Sequence, residues 1–349
     1  MIRVGLIGYG LAGRVFHAPL IAATPGLELT SVVTADPGRR RQVAADLPGA
    51  AVLAAAQDLW DRSSDHDLVV VAAGTAVHAA MALAAVEAGL PVVVEKPMAA
   101  TVADARTVLD AGRRAGVAVV PFHNRRYDSD QLTLRRLVDG GALGELRRYE
   151  SRFERWRPEP DTGAWRHRLS SEEGGGVLLD LGVHLVDQAR MLLGPVTEVY
   201  AEIDARRGGA DDDVFVALTH EAGGRSHLWA SAVAAAPGPR LRVLGSAGAY
   251  VVEALDGQEE ALRAGMRADD PAFGSEPAPH WGRLVRGDVA EPVRSEPGRW
   301  SAFYAGVEQM LRTGAPAPVA AADGVAALEV LDAARHSARR RSTVSLPSI

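Results

Sequence analysis

The run Ile2-Arg3-Val4-Gly5-Leu6-Ile7 leads directly into Gly8-Tyr9-Gly10-Leu11-Ala12-Gly13, a G-x-G-x-x-G pattern. No other feature of the 349 residues limits the fold as strongly. A short apolar run ending in glycine reads as a buried parallel strand. Gly8 permits the tight turn, Gly10 lets the backbone approach a pyrophosphate, and Gly13 lets the next helix pack close to the strand. Residues 12–23 have helical character, and such a helix aims its unbonded N–H groups and positive dipole end at phosphates. A lone glycine-rich turn would say little. Here the motif follows a strand, opens a helix and heads a strand–helix–strand unit, which makes Gly8, Gly10, Leu11, Ala12 and Gly13 candidate contacts of a dinucleotide.

The pattern continues as that motif requires. Strands are expected at 27–34, 67–72, 91–95 and 117–121, and helices at 38–47, 78–88 and 102–115. This alternation implies a Rossmann-type α/β domain, a doubly wound parallel sheet, over residues 1–121. After residue 121 the period changes. A helix is expected at 129–140 and another at 177–193. Strands are expected at 145–156, 197–203, 213–219, 226–232, 240–244 and 249–252 with no helix between most of them. Residues 122–349 therefore read as an α+β domain with an open, mostly antiparallel sheet. Residues 265–298, rich in Gly, Pro and charge, read as a long excursion or lid. Helices at 299–312 and 323–338 close the chain.

Composition excludes several classes of function. The net charge is −6, so there is no broad basic field for nucleic acid or an anionic membrane. The run Arg339-Arg340-Arg341 reads as a solvated helix end complementing the dipole. With no cysteine there can be no disulfide, thiolate metal site or cysteine nucleophile. No apolar run approaches the roughly 20 residues needed to span a bilayer, and the first residues lack the features of a signal peptide. A cytoplasmic protein is expected.

Other candidates follow from chemistry and spacing. Asp36 lies where an acidic residue holds the adenosine ribose, 23 residues after Gly13; it is equally well placed to cap the next helix. Thr34, Arg39 and Arg40 would instead suit a 2′-phosphate, so NAD and NADP both stay open. Lys96 follows an apolar strand, and ligands of parallel sheets gather at the carboxyl ends of strands. Its ammonium suits a substrate oxygen gaining negative charge, but it also suits a surface pair with Glu95. Asp180 and His184, four apart on a helix, share a face. They fit a base with its partner or an ordinary structural pair. Adding Asp187 gives a set a metal would accept, but no metal is expected.

Several stretches together resemble the Gfo/Idh/MocA oxidoreductase family. They are Glu95-Lys96-Pro97 after a strand, and Gly174-Gly175-Gly176 running through Asp180 to His184. The segments 10–19 (GLAGRVFHAP), 122–128 (FHNRRYD) and 153–160 (FERWRPEP) are similar to its branch of NADP-dependent scyllo-inositol dehydrogenases. The likeness runs nearly the whole length of the chain. It implies hydride transfer between NADP or NAD and a secondary hydroxyl of a cyclic polyol or sugar. Lys96 would polarise the substrate oxygen, His184 would act as base and Asp180 as its partner. Thr75, His78, Glu95, Lys96 and Asn124 would join the cofactor contacts, with His78 reading as a packing residue at a helix start rather than a catalyst. His123, Trp156, Arg157, Trp165 and Arg166 are the substrate candidates, and Arg125 and Arg126 are candidates for interdomain salt bridges. Many relatives carry Thr-Pro where this chain has Ala73-Gly74, which removes a side-chain contact from that loop. The resemblance further implies a homodimer or homotetramer through the open sheet, and a last helix packing back toward the N-terminal domain. The alternatives are a sugar sensor that binds the cofactor without turnover, or a different reductase or dehydrogenase chemistry on the same scaffold.

Overall fold

The computed structural model describes residues 1–159 and 174–347. The first sheet has six strands: β1 (Ile2–Ile7), β2 (Leu27–Val33), β3 (Ala51–Leu53), β4 (Leu68–Val71), β5 (Val92–Val94) and β6 (Val119–Pro121). Their order is β3-β2-β1-β4-β5-β6 and every pairing is parallel. This is the order of a Rossmann fold, in which the crevice for a ligand opens where the strand order reverses, outside the carboxyl ends of β1 and β4. Leu68, Val69, Val70 and Val71 are all fully buried, as expected when helices cover both faces of a sheet. Strand β3 and the short helix Ala56–Trp60 lie where the sequence shows no clear period. A three-residue edge strand is too short to alternate visibly.

The second sheet contains, among the described residues, nine strands. They are β7 (Leu146–Glu154), β8 (Val196–Asp204), β9 (Asp213–His220), β10 (Arg225–Ser231), β11 (Leu241–Gly245), β12 (Ala249–Val252), β13 (Gly282–Arg286), β14 (Val289–Val293) and β15 (Val344–Ser345). The order is β14-β13-β12-β11-β7-β10-β9-β8-β15. Only the central β7–β10 pairing is parallel. Alternation is clear in β9, where Val214, Val216, Leu218 and His220 are buried and the residues between them are not. The intervening face carries Phe215, His227 and Trp229, with the Arg152 guanidinium 3.8 Å above the Trp229 ring.

Residues 265–298 correct one expectation. Instead of a lid, they include the β13–β14 hairpin, which extends the sheet to one edge. Strand β14 is mostly exposed and contains Pro292, a residue an edge strand accepts and a central strand does not. The Pro-rich, charged composition that suggested a loop is the ordinary composition of a protected edge.

The chain forms two compact units, and the division is not a single cut at 121/122. The first unit holds residues 1–124, 258–273 and 299–325; the second holds 125–257, 274–298 and 326–349. Within the first, the helix Ser301–Thr313 contributes Phe303, Tyr304 and Val307 to the core. Gly324, at the start of the helix Ala321–Arg340, lies against Met98 and Pro121 so closely that a Cβ would fall 2.7 Å from the Met98 sulfur.

Candidate active site

In the first unit, Gly8 has φ +101° and its backbone touches the end of β4. A Cβ there would lie 2.6 Å from the Ala72 carbonyl oxygen, and one on Gly13 would overlap the Gly8 carbonyl. Gly10 is different, because the nearest atom to its virtual Cβ is an Arg39 guanidinium nitrogen 3.8 Å away. The loop is therefore packed beneath and open above, which is the shape a pyrophosphate needs. The helical stretch after it starts with a π-helical segment, Ala12–His17, and continues as Ala18–Ala22. Its first hydrogen bond runs from the Arg14 N–H to the Gly10 carbonyl, so the N–H groups of Leu11, Ala12 and Gly13 have no partner within the helix.

Asp36 performs the capping role. Its carboxylate accepts the Arg39 N–H at 2.8 Å at the start of the helix Pro37–Asp46. That bond, from a backbone donor, holds its carboxyl below the usual range. Thr34 is buried beside it with its N–H on the Leu53 carbonyl. Arg39 is exposed.

Lys96 is half-buried directly after β5, and the Lys96–Pro97 peptide is cis. Its N–H donates to the Glu95 carboxylate at 2.8 Å, and the other Glu95 oxygen faces His17 Nε2 at 3.2 Å. On the other side, His78 is buried with Nδ1 2.8 Å from the Pro97 carbonyl and Nε2 3.1 Å from the Ala73 carbonyl. Burial pushes the His78 imidazole below its ordinary pKa, against the pull of the two carbonyls. A neutral ring donates to only one carbonyl at a time. His78 thus ties the loop after β4 to the loop carrying Lys96. Thr75 is buried at the start of the 3-10 turn Thr75–Val77. His123 and Asn124 are both buried at the end of this unit's first stretch.

In the second unit, Asp180 and His184 sit on one continuous helical stretch. It is π-helical over Leu178–Gly182 and α-helical over Val183–Leu193. Asp180 is half-buried, and His184 is buried with its ring 6.4 Å from Phe153. Single π-turns inside helices are frequent at functional sites, and both helices carrying candidate residues begin with one. Asp187 is 2% exposed and pairs with Arg126 through two hydrogen bonds of 2.6 and 2.8 Å. Separating such a buried pair costs about 3–5 kcal/mol, so Asp187 is committed to Arg126. Among the described residues no group of three acidic or histidine side chains is placed to hold a metal.

Arg125 and Arg126 each have a partner inside the second unit. Arg125 faces Asp128 at 3.5 Å and stacks 4.9 Å from the Phe153 ring centre, and its carbonyl accepts the Gln188 amide. Burial first, and then the charge of Asp256, push the Asp128 carboxyl well above its usual range. Trp156 is 57% exposed and Arg157 is exposed as well. Trp165 and Arg166 lie outside the described residues. A cavity of about 220 Å³ lies among Arg152, Glu154, Arg240 and Glu253, and no predicted site residue lines it. Arg152 and Glu154 there pair with each other, so the cavity is a hollow in the charged face of the sheet.

The residue that sequence reasoning missed is Asp211. It is buried, and its carboxylate accepts the Leu178 N–H at 2.7 Å at the head of the helix carrying Asp180. Its own carbonyl accepts the Val177 N–H. Gly176, with φ +91°, leaves room for that carboxylate, which a Cβ would strike. Gly176 thus admits the cap. Replacing Asp211 by Ala is expected to cost about 0.5–2 kcal/mol in urea unfolding, the usual loss for a removed cap. Turnover should fall while dinucleotide affinity, measured by fluorescence titration, stays near wild type.

Comparison with known proteins agrees with this geometry. A family model described as the oxidoreductase family with an NAD-binding Rossmann fold matches residues 2–123, and one for the GFO/IDH/MocA C-terminal domain matches 131–251. The chain is 32% identical over 352 residues to the NADP(+)-dependent scyllo-inositol 2-dehydrogenase of Bacillus subtilis, covering 99% of this chain and 96% of that protein. An uncharacterized oxidoreductase of Escherichia coli is 37% identical, with 99% of each chain covered. A solved Bacillus subtilis structure superposes with a TM-score of 0.91 at 31% identity, over 99% of this chain and all of its own. The chain therefore belongs to the Gfo/Idh/MocA family and is an NAD(P)-dependent oxidoreductase.

Proposed function

We propose that the enzyme oxidises a secondary hydroxyl of a cyclic polyol or sugar of the inositol class, or reduces the matching ketone. The observation that carries this reading is the setting of Lys96. It stands at the carboxyl edge of a sheet whose glycine loop fits a pyrophosphate, with its own N–H held by Glu95 and the carbonyl of the next residue, Pro97, held by His78. Family membership, and two relatives named as inositol dehydrogenases, support the substrate class.

When bound, the nicotinamide supplies the acceptor or donor of hydride. The residues of this chain do the rest. The Lys96 ammonium donates to the substrate oxygen and stabilises the negative charge that builds on it as the C–H bond breaks. His184 takes the hydroxyl proton. Its Nδ1 is fully buried, so Nε2 is the nitrogen we assign to that transfer. Asp180 orients the imidazole or holds a neighbouring hydroxyl. Run in reverse, the proton returns from His184 Nε2 to the carbonyl oxygen. His123, Asn124, Trp156 and Arg157 are assigned to the lining of the substrate pocket. With NADP and scyllo-inositol, Lys96→Ala and His184→Ala are each expected to lower kcat at least ~100-fold, the scale of general acid–base and electrostatic catalysis. Dinucleotide binding should persist in both, and wild-type rates in both would overturn the assignment.

The preferred cofactor in this reading is NADP. Asp36 is engaged as a helix cap, and the Arg39 guanidinium lies beside Gly10, where a 2′-phosphate finds a cation. Arg39→Ala should weaken NADP binding about 10-fold, a typical loss for one charge-assisted contact, and leave NAD binding unchanged. Equal effects on both nucleotides in a calorimetric titration would reject the preference.

The half-exposed face bearing Phe215, His227 and Trp229 supports pairing of chains through the second sheet. Light scattering should then give a mass two or four times the chain's 36.8 kDa. A monomer at micromolar concentration would rule that out. The absence of cysteine and the use of a nicotinamide fit a cytoplasmic setting.

A further inference from the structure

His17 and Tyr304 take no part in the chemistry above, yet both are fully buried in the first unit. The Tyr304 hydroxyl lies 2.6 Å from His17 Nδ1, and His17 Nε2 lies 3.2 Å from one Glu95 oxygen. The other Glu95 oxygen accepts the Lys96 N–H at 2.8 Å. His17 ends the π-helical stretch that begins at the glycine loop, and Tyr304 belongs to the helix Ser301–Thr313. Three separate pieces of chain therefore meet on one imidazole, and the imidazole leads to Lys96.

The protonation states follow from the partners. Burial pushes the Glu95 carboxyl up, but the hydrogen bond from His17 pulls it down with the Lys96 charge on the same side, and the pKa lies below the usual value. Glu95 is then a carboxylate at neutral pH, and His17 Nε2 must carry the proton. Burial, followed by the charge of Glu95, holds Tyr304 well above its usual pKa, so its hydroxyl keeps a proton to donate. A single neutral tautomer of His17 satisfies the whole chain. Tyr304 donates to Nδ1, Nε2 donates to Glu95, and the Lys96 N–H donates to the second Glu95 oxygen. The Phe122 ring lies 4.2 Å from the His17 ring and packs edge-on against Phe303 at 4.8 Å. These walls keep the local dielectric low and make the linked bonds stronger than in water.

We propose that His17 and Tyr304 are positioning residues for Lys96, a buried Tyr304–His17–Glu95 relay that fixes the lysine backbone to the helix of the glycine loop. Through it, the segment that grips the pyrophosphate and the residue that grips the substrate oxygen share one anchor. The proposal rests on the role given to Lys96 above. Positioning errors of about 1 Å cost as much as 100-fold in rate, which sets the scale of the expected effects.

The test uses the full chain with His17→Leu, His17→Gln and Tyr304→Phe, alongside Lys96→Ala. Three readings are taken: long-range proton–nitrogen NMR of the imidazoles without substrate, fluorescence titration with NADP, and steady-state kinetics with the polyol that wild type turns over. One imidazole should show the Nε2–H tautomer at neutral pH, vanish in His17→Leu and shift at Nδ1 in Tyr304→Phe. His17→Leu should lower kcat about 10- to 100-fold, with KM and the NADP dissociation constant within about 2-fold. His17→Gln, whose amide offers a donor and an acceptor at similar spacing, should recover most of the rate. Tyr304→Phe removes only a hydroxyl and serves if the histidine variants fail to fold. The relay is overturned if His17→Leu and Tyr304→Phe turn over normally while Lys96→Ala does not. It is also overturned if NADP affinity falls as far as kcat, or if no imidazole lost in His17→Leu shows the Nε2–H signature. Wild-type turnover by Lys96→Ala would instead remove the role of Lys96 and take the relay with it. The NMR signature separates these cases because it does not depend on turnover.

Discussion

The backbone at Gly8 closely approaches Ala72 and Ala73, just beyond β4, and the first unit is arranged around that approach. A side chain at Gly8 would strike the Ala72 carbonyl, and one at Gly13 would strike Gly8 itself. With both side chains absent, the first helix can start immediately at the end of β1. Its early N–H groups then face the crevice where the strand order reverses. The same compactness brings His17 under β5 and next to Glu95. A looser loop would hold a phosphate less well and would also move the imidazole that reaches toward Lys96.

The second unit meets a different constraint. Around the helical stretch 178–193 it buries charged side chains, several of which meet a partner. Asp211 satisfies the start of that helix and Arg126 clamps Asp187 in its middle. Gln188 donates to the Arg125 carbonyl. Arg240, 3% exposed, is held by Asp130, Ser151 and Gln188 and lies over the Phe153 ring. Buried ion pairs add little net stability against an apolar alternative, but breaking one is costly. Such pairs specify one arrangement, and here the arrangement fixes the helix on which Asp180 and His184 stand.

Membership of the Gfo/Idh/MocA family accounts for the scaffold and the nicotinamide, and the individual residues refine it. Asp36, read by position as a ribose ligand or a cap, is a cap in the structure. Gly176, just before the helical stretch 178–193, makes room for Asp211. Residues whose chemistry looked functional are in part occupied with holding others. Asp187, Arg126 and His78 are of this kind. The residues left to face a substrate are correspondingly few.

The sequence by itself determined the parallel sheet, the glycine loop, most helix boundaries and the position of Lys96 at the end of a strand. These depend on local period and on glycines at fixed offsets, so neighbouring residues suffice to reveal them. The β13–β14 hairpin was not legible, because an edge strand with proline and charge has the composition of a loop. Nor were the partners of Arg125, Arg126, His17 and Glu95, or the role of Asp211. Asp211 lies 33 residues from the amide it caps, and Tyr304 lies 287 from His17. No spacing in the sequence encodes such a contact. Only the folding of distant segments onto one another decides which polar group meets which, and burial then makes each pairing obligatory.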